Sequence, residues 1–359
     1  MADFAFPRIL RYNIFVETQK IPTILIGLGN IGRGFLKLLR DKGSVLRHRY
    51  GLEITVVGAA DTSGAAWRAE GLDLETILSL KKTRRGIAAY PECGHPGLPA
   101  IELVRQAAAD LLIEASPVNL RDGQPGLGCI ETALKHDMDV VTANKGPLVL
   151  AYSRLMKMAA DHGRRIAFSA TVAGGCPVLN IGSRDLVGAT VERVEGCFNS
   201  TTTYILTRML EEGLGFDEAV HEAQKAGIAE ADPSLDIDGW DAANKLVIVA
   251  NAVLGVPATL ADVEVTGIRA LSLEDLRRAS EEGRIIRLVA TAEREHSGYR
   301  LRVSPQALEH RHPLAGFGKW GMGVVYYTDT MGVITSTIEE EGPGATCAAV
   351  LRDVINLYR

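Results

Sequence analysis

Cysteine is scarce in this chain and never paired in sequence: Cys93, Cys129, Cys176, Cys197 and Cys347 form an odd, scattered set without a CxxC spacing. That pattern excludes a disulfide framework and a structural zinc site, and the expectation is five reduced thiols. Long apolar runs are missing too. The longest charge-free stretch, Leu246 to Ala261, contains Asn251, Gly255 and Pro257 and reads as a buried helix with its exit rather than a membrane span. No cationic stretch followed by an apolar run opens the chain, so a cytoplasmic protein is expected. A basic excess is absent as well. The net charge of -5 and a pI near 6.0 leave no electrostatic footprint for nucleic acid, so the expected partner is a small molecule, with neither nucleic acid nor membrane.

What remains is an ordinary globular composition, 47% hydrophobic and 23% charged, over 359 residues. That length exceeds what one core usually covers, so two domains are expected. From Thr23 the pattern runs strand, glycine turn, helix: TILI, then GLGNIG from Gly27 to Gly32, then RGFLKLLR. Further strands are predicted over Ile54 to Ala60, Asp110 to Ala115 and Asp139 to Thr142, with helical runs between them. Such alternation predicts an α/β fold of the Rossmann type, a doubly wound parallel sheet, over residues 1–150. After the helix that opens at Pro147 the order changes. Strands beginning at Ile166, Val191, Ile285, Tyr299, Gly323 and Gly332 predict an α+β catalytic and dimerisation domain over 151–335. Residues 336–359 hold an amphipathic helix from Ala345 that follows Gly342-Pro343-Gly344. Residues 1–20 are compatible with an added strand or an ordered arm.

The glycine pattern gains meaning from its context, because it follows an apolar strand, opens a helix and precedes a second strand ending in an acid. Gly27 permits the tight turn, Gly29 lets the backbone approach a pyrophosphate, and Gly32 lets the helix pack against the strand. Asn30 and Ile31 lie where the helix N-terminus offers amide donors and a partial positive charge. Asp61 at the end of the second strand is placed to accept a hydrogen bond from an adenosine ribose, which favours NAD, or else to cap a turn. Its distance from Gly32 exceeds the usual spacing because a charged insertion, Asp41 to Gly51, intervenes, and Arg68 offers an alternative partner for a 2′-phosphate.

Glu230, Asp232, Asp236, Asp238 and Asp241 crowd into one segment with Leu235, Ile237 and Trp240, directly before an apolar helix carrying Lys245. A calcium loop fails on register: with Gly239 at position six, the bidentate glutamate position falls on Lys245. Asp241 and Lys245 share a helix face, either as an ordinary i,i+4 pair at an acidic helix start or as a reactive pair. Lys145 lies in TANKGP, between a parallel strand and a helix whose dipole repels it. That position suits ligands rather than stability, although a solvated loop lysine is the plain alternative. TVAGGCP (171–177) and NSTTTY (199–204) are compatible with binding loops or with turns.

Together GLGNIGRG, TANKGPL, ATVAGGCP, NSTTTYILTRM, AQKAGIAEADPSLDIDGWDAANKLVI, HPLAGFG and the GPGAT helix resemble the homoserine dehydrogenase family, in order and from about residue 22 onward. The resemblance is to its short form, without a fused kinase or regulatory domain. It implies interconversion of L-aspartate 4-semialdehyde and L-homoserine with NAD or NADP, in threonine, methionine and isoleucine biosynthesis, by a homodimer. It further implies Lys245 as proton donor, Asp241 as the residue fixing it and Lys145 on the other side of the substrate. Glu230, Asp236 and Thr201 would bind substrate, and Ser116, Lys145 and Gly344 would line the cofactor. A structural Na+ or K+ is implied on the carbonyls of Val172, Gly174 and Cys176, but Ser169 stands where relatives commonly carry a glutamate. Ser200 and Thr203 are further departures, in the hydroxyl run. Aspartate-semialdehyde dehydrogenase is set aside because no cysteine has a nucleophile context. A nucleotide sensor without chemistry would have lost one of Lys145, Asp241 or Lys245. A dehydrogenase of another short amino or hydroxy acid would show its shift at Ser169, Ser200 and Thr203.

Overall fold

The computed structural model describes residues 18–359. The open question about residues 1–20 therefore lies almost wholly outside the described residues, and Gln19 and Lys20 already belong to the first strand. Strands β1 (Gln19–Ile26), β2 (Leu52–Asp61), β3 (Gly64–Trp67), β4 (Gly94–Pro96), β5 (Leu111–Glu114), β6 (Asp139–Thr142) and β7 (Ile166–Ala167) form one sheet in the order β4-β3-β2-β1-β5-β6-β7. Pairing is parallel from β2 to β7, and β2-β3-β4 add an antiparallel edge. Ile21, Ile24, Leu25 and Ile26 of β1 are all buried, as a strand covered by helices on both faces requires. Because the chain moves from β1 to β2 on one side and to β5 and β6 on the other, a crevice opens at the carboxyl ends of β1 and β5, where open sheets of this kind bind ligands.

Two sequence readings change here. The insertion Asp41 to Gly51 prolongs the helix Asn30–Val45 into a wider turn, Leu46–Tyr50, closed by Gly51 at φ 65°, and this extra turn explains the long spacing to Asp61. The strand at Ile166, predicted as the first of the second domain, pairs with β6 and completes the first sheet instead. Its two residues leave no periodicity from which its partner can be read.

Strands β8 (Val191–Cys197), β9 (Val263–Val265), β10 (Arg284–Glu295), β11 (Gly298–Glu309), β12 (Gly321–Thr328) and β13 (Val333–Glu339) form a second sheet, in the order β13-β12-β8-β10-β11-β9. Helices Ser200–Glu212 and Trp240–Ala252 pack against it, and the second of these also packs on the helix Lys145–Asp161 that follows β6. The last helix, Gly344–Tyr358, returns to the first unit, where Ala349, Val350, Leu351 and Val354 are buried with Leu25, Phe35 and Leu39. Its fit is close. A methyl group at Gly34 would stand 2.3 Å from Cys347 Sγ, so only glycine lets these helices touch.

Candidate functional site

At the end of β1, Gly27 has φ 91° and its missing side chain would overlap the Ala115 carbonyl at 2.2 Å. A methyl at Gly32 would meet the Gly27 carbonyl at 2.0 Å. Gly29 borders open space, and the helix it opens has no side-chain cap and no acid in its first turn. Its first amides, on Asn30 and Ile31, are therefore left for a ligand, and a helix N-terminus of this kind suits an anion. This cradle fits the pyrophosphate of a dinucleotide.

Across the crevice, Asn144 caps the helix Lys145–Asp161 by accepting from the Gly146 amide, which fixes Lys145 at the mouth of the sheet. The packing of that helix on Trp240–Ala252 brings Lys145 to Asp241, where its Nζ donates to Oδ1. Lys245, one turn along, donates to Asp241 Oδ2 at 2.7 Å and to the Phe198 carbonyl at 2.5 Å. Asn199 completes the set by donating to Asp241 Oδ2 at 2.7 Å and to Asp236 Oδ1 at 2.6 Å, while its Oδ1 caps the helix Ser200–Glu212. Burial would raise the Asp241 carboxyl, but the ammoniums of Lys245 and Lys145 outweigh it and hold it well below the usual range. Burial and the charge of Asp241 push Asp236 the other way, against Asn199, Lys245 and Thr201.

Lys145, Asp241 and Lys245 line a cavity of about 530 Å³ between the two sheets, with Thr171, Gly174, Ser200 and Trp320 on its walls. Glu340 and Gly342 close one side. Glu340 Oε2 accepts from the Gly175 amide at 2.9 Å, and Oε1 accepts from the amide and hydroxyl of Thr346. This carboxylate ties the 171–177 loop to the last helix. Beneath the loop, Arg352 donates to the Gly175 carbonyl and to Ser169 Oγ, which in turn donates to Asp353. An internal cation therefore already touches the loop proposed to hold Na+ or K+.

Family models agree with both units. One described as homoserine dehydrogenase, NAD binding domain, matches residues 27–169, and one described as homoserine dehydrogenase matches 177–355. Over 335 residues the chain is 38% identical to a homoserine dehydrogenase of Methanocaldococcus jannaschii, covering 93% of this chain and 98% of the relative. The chain belongs to the homoserine dehydrogenase family. It is also 32% identical to the NAD(+)-dependent homoserine dehydrogenase of Pseudomonas canavaninivorans, over 93% of this chain and 95% of the relative. The crystal structure of homoserine dehydrogenase from Thermoplasma acidophilum superposes with a TM-score of 0.80 at 31% identity, covering 94% of this chain and 99% of that one. A hyperthermophilic archaeal homoserine dehydrogenase in complex with NADPH gives 0.81 at 27% identity, over 94% and 98%. Like the rest of the family, this chain is an NAD(P)-dependent oxidoreductase acting on a CH-OH group, interconverting L-aspartate 4-semialdehyde and L-homoserine.

Among residues singled out in the sequence, Lys145, Asp241 and Lys245 line the cavity together, whereas Asp236 is joined to them through Asn199 and Thr201 is buried outside the lining. Gly174 lines the cavity, while Val172 and Cys176 are buried in the same loop. Ser116 is buried beside Asn144, whose amide donates to its hydroxyl at 3.3 Å. Gly344 is exposed at the start of the last helix, two residues from the cavity wall at Gly342. Glu230 is exposed, outside the lining, although Gly227 and Ile228 before it contribute. Asp61 turns inward onto Lys81. Sequence reasoning passed over Asn144, Asn199, Glu340 and the fully buried Glu114, whose Oε1 accepts from the Ser116 amide. The two asparagines lay inside recognised motifs as helix caps, whereas Glu340 carries no local signal.

Proposed function

We propose that Lys245 delivers the proton to the aldehyde oxygen of L-aspartate 4-semialdehyde and removes it in the reverse direction, with Asp241 orienting both lysines. When bound, the reduced nicotinamide supplies the hydride to the carbonyl carbon. Negative charge then develops on oxygen, where a fixed ammonium both stabilises it and protonates it. Lys145, at the junction of the two units, orients substrate against cofactor from the opposite side. Asp236, Thr201 and Glu230 are assigned to the amino-acid end of the substrate, whose ammonium suits carboxylates. The observation that carries this reading is one buried carboxylate holding two lysines from different units at a cavity wall.

The glycine cradle supports NAD or NADP as cofactor, on the residues Gly27, Gly29, Asn30, Ile31 and Gly32, with Ser116, Lys145 and Gly344 nearby. A Na+ or K+ on Val172, Gly174 and Cys176 would have to share its loop with Arg352. The proposal extends to a homodimer through the second sheet, supported by the edge of β13, which no other strand pairs among the described residues and where Val333 is 58% exposed. It also places the reaction in cytoplasmic threonine, methionine and isoleucine biosynthesis, on the strength of the chemistry alone.

The test is to incubate purified protein with L-homoserine and NAD+ or NADP+ and follow reduced-nicotinamide absorbance. Lys245→Ala is expected to lower kcat by roughly 10²–10⁴-fold, the usual size of a general acid-base contribution, while nucleotide still binds. Absence of turnover with either nucleotide in folded native protein refutes the reading, and an unimpaired Lys245→Ala variant refutes the role of that lysine.

A further inference from the structure

The carboxyl end of β2 is where a dinucleotide fold meets the adenosine ribose, and an acid there normally accepts from the 2′-hydroxyl and repels a 2′-phosphate. In this chain the acid is occupied. Asp61 Oδ1 accepts from the amide and hydroxyl of Ser63 at 2.9 and 2.6 Å, and Oδ2 accepts from Lys81 Nζ at 2.6 Å and the Ile87 amide at 3.2 Å. The Asp61 side chain is only 7% exposed. All its acceptor capacity faces protein, and Lys81 cancels its charge.

The segment that engages Asp61 is strongly basic. Lys81, Lys82, Arg84 and Arg85 fall within five residues, and the backbone turns directly past the carboxylate, since a methyl at Gly86 would lie 3.5 Å from Asp61 Oδ1. Lys82, Arg84 and Arg85 are exposed and enter no ion pair among the described residues. Arg84 also adopts φ 59°, a left-handed conformation uncommon for a non-glycine residue. Arg68, the other cation downstream of β2, is held by Glu92 at 2.7 Å. The local balance is one neutralised acid beside three unpaired cations.

We infer that this segment is the reader of the adenosine 2′ position and selects NADP(H), with Arg84 and Arg85 binding the 2′-phosphate and Lys81 keeping Asp61 from opposing it. The inference rests on the assignment of the glycine loop as the dinucleotide site. A phosphate monoester carries roughly -1.5 to -2 charges near pH 7, which two guanidiniums match with bidentate geometry.

Isothermal titration of the native protein with NADP+, NAD+ and adenosine 2′,5′-bisphosphate tests it without turnover. NADP+ is expected to bind at least tenfold more tightly than NAD+. In Arg84→Ala/Arg85→Ala, confirmed folded by circular dichroism, the affinity for NADP+ and for the bisphosphate falls at least tenfold, and the preference over NAD+ shrinks towards one. NAD+ binding as tightly as NADP+, or a double variant that keeps its preference, overturns the inference while leaving the dinucleotide site intact. Binding of neither nucleotide by folded protein overturns the site assignment itself, and the inference with it.

Discussion

Replacing Asp241 by asparagine removes one negative charge from between two ammonium groups while preserving shape and one acceptor oxygen. The Asp241 side chain is 8% exposed and those of Lys145 and Lys245 are each 16% exposed, so solvent screens this cluster little. A unit-charge pair about 4 Å apart contributes roughly 4 kcal/mol at an effective dielectric constant near 20, and removing one member of a buried pair typically costs about 3–5 kcal/mol. The expected loss is about 3–5 kcal/mol. Each kcal/mol shifts the melting midpoint by ~2–4 °C in units of 150–250 residues, so a drop of roughly 6–20 °C follows. Thermal unfolding followed by the fluorescence of Trp240, beside Asp241, and Trp320, on the cavity wall, reads it directly. The pH dependence has a definite sign. The folded carboxyl is held below its ordinary value of about 3.9, so its stabilisation is fully present above that value and is lost as pH falls through the lowered one. The gap between native protein and variant should stay constant from about pH 5 to 8 and narrow below about pH 4. A variant as stable as the native protein at pH 7, or a gap that widens in acid, refutes the account.

Gly32→Ala should abolish nucleotide binding in a fluorescence titration, because its methyl would meet the Gly27 carbonyl at 2.0 Å and displace the loop. Tight binding by that variant would remove the loop from the site. Glu340→Ala frees the Gly175 amide and both donors of Thr346, and an unfolding midpoint lowered by the equivalent of about 2–4 kcal/mol is expected, with partial recovery in Glu340→Gln. Exchange into buffer free of Na+ and K+ should leave the melting midpoint and turnover unchanged, since Arg352 already donates to the Gly175 carbonyl. A clear loss, restored by either ion, would instead favour a bound cation on Val172, Gly174 and Cys176.

Much of the fold was legible from local pattern. Strand β6 spans Asp139–Thr142 as the sequence pattern predicts, and the glycine loop makes the tight turn its spacing implies, because both are written in contiguous residues. Strands β3 and β4 were not legible, since three or four residues rich in glycine, alanine or proline carry no usable period, and β9, Val-Glu-Val, is too short to establish one. At the candidate site, the pairing of Asp241 with Lys245 follows from helix geometry. Its link to Lys145 spans 96 residues and depends on how two helices pack. Asp61 shows the limit most clearly: its place at a strand end was evident, but its commitment to Lys81 depends on a helix and turn that only the folded chain brings back. The thiols fared well by comparison. Cys129 and Cys197 are pushed by burial up to about 12, consistent with a chain that does not use them as nucleophiles.

The contact of Cys347 with the glycine-loop helix spans 316 residues of chain. A ribosome making this protein must therefore complete the whole second sheet before the last helix can cover Phe35 and Leu39. Until then the nucleotide-binding unit carries an uncovered apolar flank, so its maturation is tied to a helix made more than 300 residues after its glycine loop. Cofactor affinity in a nascent chain should consequently appear late and abruptly, as a property that waits for the helix Gly344–Tyr358 rather than one of the first unit alone.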